Sequence, residues 1–491
     1  MSIRFNNSYV RLPERFYTKQ LPVAGSDPQL IAVNHELARS LNIDPVWLAS
    51  EAGVNMVAGN LIPDGAEPIA TVYAGHQFGH WNPQLGDGRA LLLGEVIDKN
   101  GERFDIQLKG SGITPFSRNG DGRAPLGPVL REYIVSEAMT ALGIPTTRTL
   151  AAVTTGDSVY REAKLAGAVL ARVAKSHIRI GTLQYFAAQN DIDGLRHLVD
   201  YIIKRHYPEA AIADNPPLDL FEQVMRRQAD LIAGWQSVGF IHGVMNTDNM
   251  LLSGETIDYG PCAFMDHFDA ASCYSSIDRQ GRYAYRNQPS IAHWNLACLG
   301  QALVAVFDPV EEKAIKMAQT ALDQFPGFYR QAYLERLTHK LGLGLPQPDD
   351  EQLIRDFFDL LADNRCDFTL AFRRLGELST DKLPSGDDSV APWFDFPPAF
   401  DDWLMRWQNR CVQETISPED RYRQMMAVNP VFIARNHQLE VAIQQAYAGD
   451  FSMFRRLLDR LSKPFEFNPE DMDLGKPPEP HELVQQTFCG T

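Results

Sequence analysis

The six cysteines of this 491-residue chain are scattered, with no CxxC pair and no spacing that would hold zinc. That excludes a zinc ribbon and suits a reducing compartment, leaving open a redox role for one pair. Positive charge is in short supply: 46 Lys and Arg face 62 Asp and Glu, a net charge of −16. Nucleic acid and anionic membrane are therefore not expected as main partners. The opening residues, MSIRFNNSYVRLPERF, lack the apolar run of a signal peptide. No stretch reads as a bilayer span; the best, residues 296–307, is short and contains Gln301. The expectation is a cytoplasmic monomer with no membrane and no nucleic-acid partner. Apolar content, at 44%, is ordinary, and the length fits three domains or one large two-lobed unit.

The chemistry concentrates in residues 239–266, GFIHGVMNTDNMLLSGETIDYGPCAFMD. A short apolar strand, Phe240-Ile241, leads into a polar loop. Residues 250–252 and 256–257 read as a small hairpin closed near Ser253-Gly254, followed by Asp258-Tyr259-Gly260. The layout resembles that of protein kinases, with a catalytic loop H-R-D-x-x-x-x-N, a hairpin and D-F-G. His242 and Asn249 keep the His-to-Asn spacing, and Asn249 and Asp258 stand where the metal ligands would be. The kinase base would fall on Val244, which accepts no proton, while a carboxylate stands at Asp248 instead. The competing interpretation is a pair of ordinary turns, since Asn-x-Asp and Asp-x-Gly are turn signals.

Upstream, residues 28–41 and 45–52 read as helices and 62–68 as loop. Gly86-Asp87-Gly88-Arg89 precedes an apolar strand at residues 90–93, and Gly-Asp-Gly-Arg recurs at 120–123. Backbone N–H groups at glycines with a nearby Arg make an anion cradle, with a tight turn as the alternative. His76 and His80 lack the HExxH pattern, so zinc is not expected there. Asn100-Gly101 turns a hairpin whose second strand puts Phe104, Ile106 and Leu108 on one face and Asp105, Gln107 and Lys109 on the other. A helix over residues 126–142 offers Glu132 and Glu137 to Lys109, with Glu132 nearer the glycine-rich loop. Three strands follow, 147–154, 158–162 and 167–173, the first pair turned by Gly156-Asp157. Then comes a basic stretch with Arg172, Lys175, His177 and Arg179, which suggests phosphate at this point of the chain.

From residue 183 the pattern is helical: 183–189, 193–206, 217–238, 293–306, 309–324, 328–341, 350–362, 367–375, 399–413 and 432–463. The polar loop 268–289 carries Cys273. Residues 464–491, rich in Pro and acid, read as a mobile tail. Cys489 on that tail is expected to bridge Cys273 rather than Cys262, which lies in an apolar run; an unpaired terminal Cys is the alternative. The fold class expected is α+β, a two-lobed protein-kinase-like fold. It divides into a helical extension (1–70), a β-rich lobe (71–174), a helical lobe with the catalytic loop (175–430), and a terminal extension (431–491).

The segments GHQFGHWNPQLGDGR, GSGITPFSRNGDGRA, LREYIVSEAM, LARVAKSHIRIGT, HGVMNTDNM and IDYGP, with a C-terminal Cys, resemble the selenoprotein O family, also called the YdiU family. The resemblance runs from about residue 10 to the end. It implies a kinase-like fold that binds ATP in an inverted orientation and transfers AMP to protein hydroxyl groups. By this resemblance Asp248 is the proton acceptor, and Asn249 and Asp258 hold Mg²⁺ or Mn²⁺. Lys109, paired with Glu132, contacts the phosphates, and Arg172 and Arg179 hold the γ-phosphate. Gly86, Gly88, Arg89, Asp121 and Gly122 line the nucleotide site. Cys489 stands where some members carry selenocysteine. The partners implied are ATP and protein substrates. The rival activities are γ-phosphate transfer, UMP transfer from UTP, and a catalytically inactive nucleotide-binding regulator.

Overall fold

The structure is a computed structural model that describes residues 3–379, 389–484 and 487. It is a mixed α/β protein: an antiparallel sheet carries the first third of the chain, and the rest is mainly helical. Among the described residues the sheet has eight strands: β1 (Tyr17–Lys19), β2 (Gln29–Val33), β3 (Ile69–Thr71), and then, beyond a small separate hairpin of β4 (Gly75–Gln77) and β5 (His80–Asn82), β6 (Ala90–Ile97), β7 (Arg103–Lys109), β8 (Ala124–Pro125), β9 (Arg148–Tyr160) and β10 (Lys164–Ala174). The main path runs β1-β3-β6-β7-β10-β9-β2, with β8 on β10.

The β6–β7 turn forms as the Asn-Gly signal predicts. Gly101 takes φ +86°, and the Asp98 carboxylate accepts from the N–H groups of Asn100 and Glu102, both at 2.8 Å. The period-2 alternation of β7 then sets the two sides of the sheet. Ile106 and Leu108 pack under α1 (His35–Ser40), α2 (Pro45–Leu48) and α3 (Glu51–Ala58), while Lys109 faces the other way, toward α4 (Leu126–Ala141).

Three expectations for this region change. Residues 29–33 form a strand, not the start of a helix, because they pair with β9 and Asn34 caps the helix that begins at His35. The first seventy residues are thus woven into the sheet rather than set beside it as a helical extension. Gly156-Asp157 does not reverse the chain: β9 runs through it and the turn comes at residues 161–163. Gly156, at φ +77°, instead lets residue 27 pass close, since a Cβ there would lie 2.6 Å from Asp27 N. Two strands therefore replace the expected three.

The helical part comprises α5 (Ile180–Ala188), α6 (Ile192–His206), α7 (Pro216–Ser237), α8 (Gln288–Phe307), α9 (Glu311–Leu322), α10 (Phe325–Lys340), α11 (Asp350–Asp363), α12 (Phe368–Glu377), α13 (Asp401–Val412), α14 (Pro418–Val428), α15 (Asn436–Tyr447) and α16 (Ser452–Leu461). Helix α14 has no counterpart in the periodicity, although Ser417 caps it and Pro418 opens it. The single long helix expected over 432–463 is cut at Gly449, φ +90°, into α15 and α16. Residues 285–307, including α8, are long and apolar enough to cross a bilayer, contrary to the expectation, but 56% of that window is buried against the rest of the protein. Nor do residues 464–484 hang free: Arg435 Nε donates to Gly475 O at 3.1 Å, and Leu474 is buried in the main core.

Between the sheet and α8 lies the segment 239–266 singled out in the sequence. β11 (Phe240–Ile241) pairs with β12 (Ala263–Phe264), so the loop 242–262 closes on itself. The hairpin expected inside it is absent. Leu251 pairs with Arg179 and Thr256 with Thr146, which fastens the loop to the basic stretch and to the start of β9.

Candidate active site

Lys109 ends β7 and its Nζ reaches two carboxylates, Glu132 Oε2 and Asp258 Oδ1, each at 2.5 Å. Glu137, the other candidate on α4, faces away and is held by Arg148 and Asn34. Arg172, on β10 beside β7, joins the same cluster: its Nη1 lies 3.1 Å from Glu132 Oε1 and 2.8 Å from Asp258 Oδ1. Its other donors hold Gln107 Oε1 at 2.6 and 3.2 Å. Burial alone would push the Asp258 carboxyl up, but Lys109, Arg172 and Arg179 outweigh it and hold that carboxyl well below the usual carboxylate range. Asp258 also sits at φ +64°, a left-handed conformation that Asp tolerates better than most residues.

Arg179 is buried at the N-cap position of α5, where its backbone N–H donates to Thr182 Oγ1 at 3.1 Å. Its guanidinium lies 4.3 Å from the Tyr73 ring centroid and 3.5 Å from Asp87 Oδ1, and its Nε has no partner. Asp87 is itself fixed by the Thr71 N–H at 3.0 Å and hydroxyl at 2.6 Å. A buried cation with a donor to spare is suited to an anionic ligand.

Asp248 stands on a short turn, Thr247–Asn249, pinned by the β4–β5 hairpin. His76 N donates to Thr247 Oγ1 at 2.8 Å, Phe78 N to Asn246 Oδ1 at 3.0 Å, and Gln77 Nε2 to Asp248 Oδ2 at 3.2 Å. The other carboxylate oxygen, Oδ1, is buried without a partner. Burial pushes the Asp248 carboxyl up to about 6, with the Gln77 hydrogen bond resisting. A carboxyl titrating there is mostly ionised at neutral pH and still basic enough to take a proton.

These groups open into one cleft of about 540 Å³. Of the residues singled out in the sequence, Gly86, Gly88, Arg89, Lys109, Asp121, Gly122, Arg172, Arg179, Asp248, Asn249 and Asp258 all line it, and Glu132 stands behind Lys109. The glycines serve packing as well as access. A Cβ at Gly86, φ +72°, would lie 2.3 Å from the Phe116 ring, and one at Gly122 would meet the Gly112 carbonyl at 2.1 Å. The two Gly-Asp-Gly-Arg loops can therefore seat against their neighbours only because side chains are absent there. Asp121 does not face the cleft as a bare charge: Arg161 binds both its oxygens, at 2.8 and 3.0 Å.

Sequence reasoning missed Asp87, Gln77, Asn246, Tyr73 and Arg161. Asp87 lay between two glycines already singled out, and Gln77 in the Gly-His-Gln-Phe run. Neither partner can be found by spacing, because the contacts span 92 and 171 residues.

The oxygens present fit a hard divalent cation. Both cations on Asp258 use Oδ1, leaving Oδ2, and Asn249 donates through Nδ2 to Val244 O, leaving its Oδ1 for the cleft. Among the described residues no three His, Cys, Asp or Glu side chains converge. Two protein oxygens completed by phosphate oxygens and water is the way Mg²⁺ is usually held in nucleotide sites.

Gly75 sits against Asp248: a Cβ there would come within 2.8 Å of its Oδ1 and 3.1 Å of its Cβ. Gly75→Ala should leave the fold intact, displace Asp248, and lower kcat by about tenfold to a hundredfold with ATP affinity little changed. Steady-state kinetics beside calorimetric ATP titration check this.

Among the cysteines, Cys262, Cys298, Cys366 and Cys411 are buried. Cys273 is half-buried, its Sγ 3.3 Å from Asp278 Oδ2, and burial together with Asp278 pushes its thiol up to about 12. Such a thiol is a weak nucleophile in this arrangement. Cys489, its expected partner, lies outside the described residues.

The family model described as "Protein adenylyltransferase SelO" matches residues 1–462. The chain is 55% identical over 488 residues to the protein nucleotidyltransferase YdiU of Rhodopseudomonas palustris (strain BisB5), covering 99% of each chain. To the protein of the same name from Nitrobacter hamburgensis it is 53% identical over 489 residues, covering 100% of this chain and 96% of that one. To that from Rhizobium etli it is 52% identical over 488 residues, covering 99% and 97%.

Proposed function

The chain belongs to the SelO family of protein adenylyltransferases and is an enzyme of the nucleotidyltransferase class, and from that premise we propose that it transfers AMP from ATP to Ser, Thr or Tyr hydroxyl groups of proteins on a two-lobed, kinase-like scaffold. The observation that carries this is the placement of Arg172 and Arg179. Both are buried and line the cleft that Asp248 also lines, and Arg179 keeps a free donor. A triphosphate whose terminal phosphate is held by those guanidiniums presents its α-phosphorus to Asp248.

The chain's own groups then divide the work. Asp248 takes the proton of the acceptor hydroxyl. The acceptor oxygen bonds to the α-phosphorus, the bond from that phosphorus to the α,β-bridging oxygen breaks, and pyrophosphate leaves. Lys109 and Arg172 supply fixed positive charge beside the phosphates, and Glu132 holds both in place. Asn249 and Asp258 would hold Mg²⁺ or Mn²⁺, which neutralises phosphate charge when bound.

Incubation with a protein acceptor and ATP labelled at either the α or the γ position should put label on protein only from the α position. Label from the γ position would make the enzyme a kinase. No label from either, with ATP still bound, would make it a regulator. UTP in place of ATP tests the base preference in the same assay.

A further inference from the structure

A second cavity, about 800 Å³, opens beside the nucleotide cleft and shares Arg161, Val244, Pro261 and Ile277 with it. One wall is apolar, with Pro128 at the start of α4, Leu165 on β10, and Ile443 and Tyr447 on α15. Ser275 and Ser276, in the loop that follows the metal-site segment, also line the cavity, and residues 274–276 present a backbone edge. That edge already pairs with Thr487 in an isolated bridge. Thr487 N donates to Tyr274 O at 2.8 Å, Ser276 N donates to Thr487 O at 3.4 Å, and Ser275 and Thr487 pair in parallel. A backbone edge that pairs in parallel with one residue beside an apolar wall is the arrangement that binds extended polypeptide by strand addition.

We infer that this groove docks the acceptor protein. An extended segment of it adds along residues 274–276 in the place Thr487 holds, seats an apolar side chain against Leu165 and Ile443, and brings its hydroxyl past Val244 and Pro261 to Asp248. The chemistry at that hydroxyl rests on the AMP transfer proposed above, but the docking does not. Thr487 is thus a competitor for the edge. Arg131 and Arg161, which also border the groove, are already matched by Glu440 and Asp121, so an acidic recognition sequence is not required.

The test uses the full chain and a positional library of extended peptides with a central Ser, Thr or Tyr, assayed with α- and γ-labelled ATP. Leu165→Glu places a charge on the apolar wall away from the nucleotide and should raise the peptide KM about tenfold, the loss of one good apolar contact. Thr487→Pro removes the N–H that holds Thr487 to Tyr274 and should lower the peptide KM by about threefold to tenfold, the worth of one hydrogen bond. ATP affinity by calorimetry should be the same in both variants and the wild type. An unchanged peptide KM in either variant, or no peptide labelled by wild-type enzyme that still binds ATP, overturns the docking. Transfer of the γ label would overturn the AMP chemistry alone, because the two KM shifts would still report the groove.

Discussion

Replacing Asp248 by Asn should slow AMP transfer by about 10²–10⁴-fold, the usual worth of a positioned general base, while ATP binding persists. The variant keeps the shape of the side chain and its hydrogen bond to Gln77. What it loses is the ability to accept a proton at Oδ1, the buried oxygen that no protein group uses. Because burial lifts this carboxyl from 3.8 to about 6, wild-type activity should climb as pH rises through about 6 and level off above it. Stability should move the opposite way. A carboxyl whose folded pKa lies above its unfolded one binds its proton more tightly when folded, so its contribution falls as pH rises from the unfolded value through about 6. At neutral pH that cost approaches about 3 kcal/mol for a fully buried group. Asp248→Asn removes it, so the inactive variant should melt higher than the wild type above pH 6 and show no advantage near pH 4. A pH–rate profile with paired melting curves checks both halves. A variant that is inactive and less stable at pH 8 would count against a buried, strained base.

Asp258→Asn should be as damaging to turnover, at about 10²–10³-fold or more, but by a different route: metal-dependent nucleotide binding should go as well. Asn is the informative choice because it tolerates the φ of +64° at this position and removes only the charge. Lys109 and Arg172 then share a single carboxylate, Glu132. Breaking a buried charge pair costs about 3–5 kcal/mol, and the Asp258 side chain is 23% exposed, which places this one at the low end. Since the folded Asp258 carboxyl is depressed, the stability it supplies is present above the ordinary carboxylate value and fades as pH falls below it. The gap between wild type and Asp258→Asn should therefore narrow in acid. Calorimetric titration with ATP, with and without Mg²⁺, separates the two carboxylates: Asp248→Asn keeps the metal-dependent heat and Asp258→Asn loses it. Equal loss in both would refute the division of roles.

Much of this site could be read along the chain. The alternation of β7 put Lys109 on the polar face of its strand, and the spacing of His242, Asn249 and Asp258 marked the loop that lines the cleft with the carboxylates of Asp248 and Asp258 and with Asn249. Both are short-range properties, because strand period and turn chemistry are set by neighbours in sequence. Periodicity failed where pairing overruled it. Residues 29–33 are apolar enough for either a helix or a strand, and the open edge of β9 decided for the strand. Gly156-Asp157 has the composition of a turn, yet the close passage of residue 27 makes it a left-handed step within a continuous strand.

The choice between Glu132 and Glu137 shows where the sequence by itself stops. Five residues apart on a helix, at about 100° each, the two carboxylates point about 140° apart, so only one can face the sheet strand that carries Lys109. Which one does depends on how α4 is rolled against the sheet. Packing of its buried face turned Glu132 inward and left Glu137 to Arg148. The same holds for the bonds from Gln77 to Asp248 and from Arg179 to Asp87, which join segments with no local reason to meet. The sequence alone determined which residues carry charge and oxygen and which way each leans from its own strand or turn. Only the tertiary structure decided which of them meet, because a helix's roll and a loop's landing point are fixed by long-range packing, and it is those meetings that set the ionisation of Asp248 and Asp258.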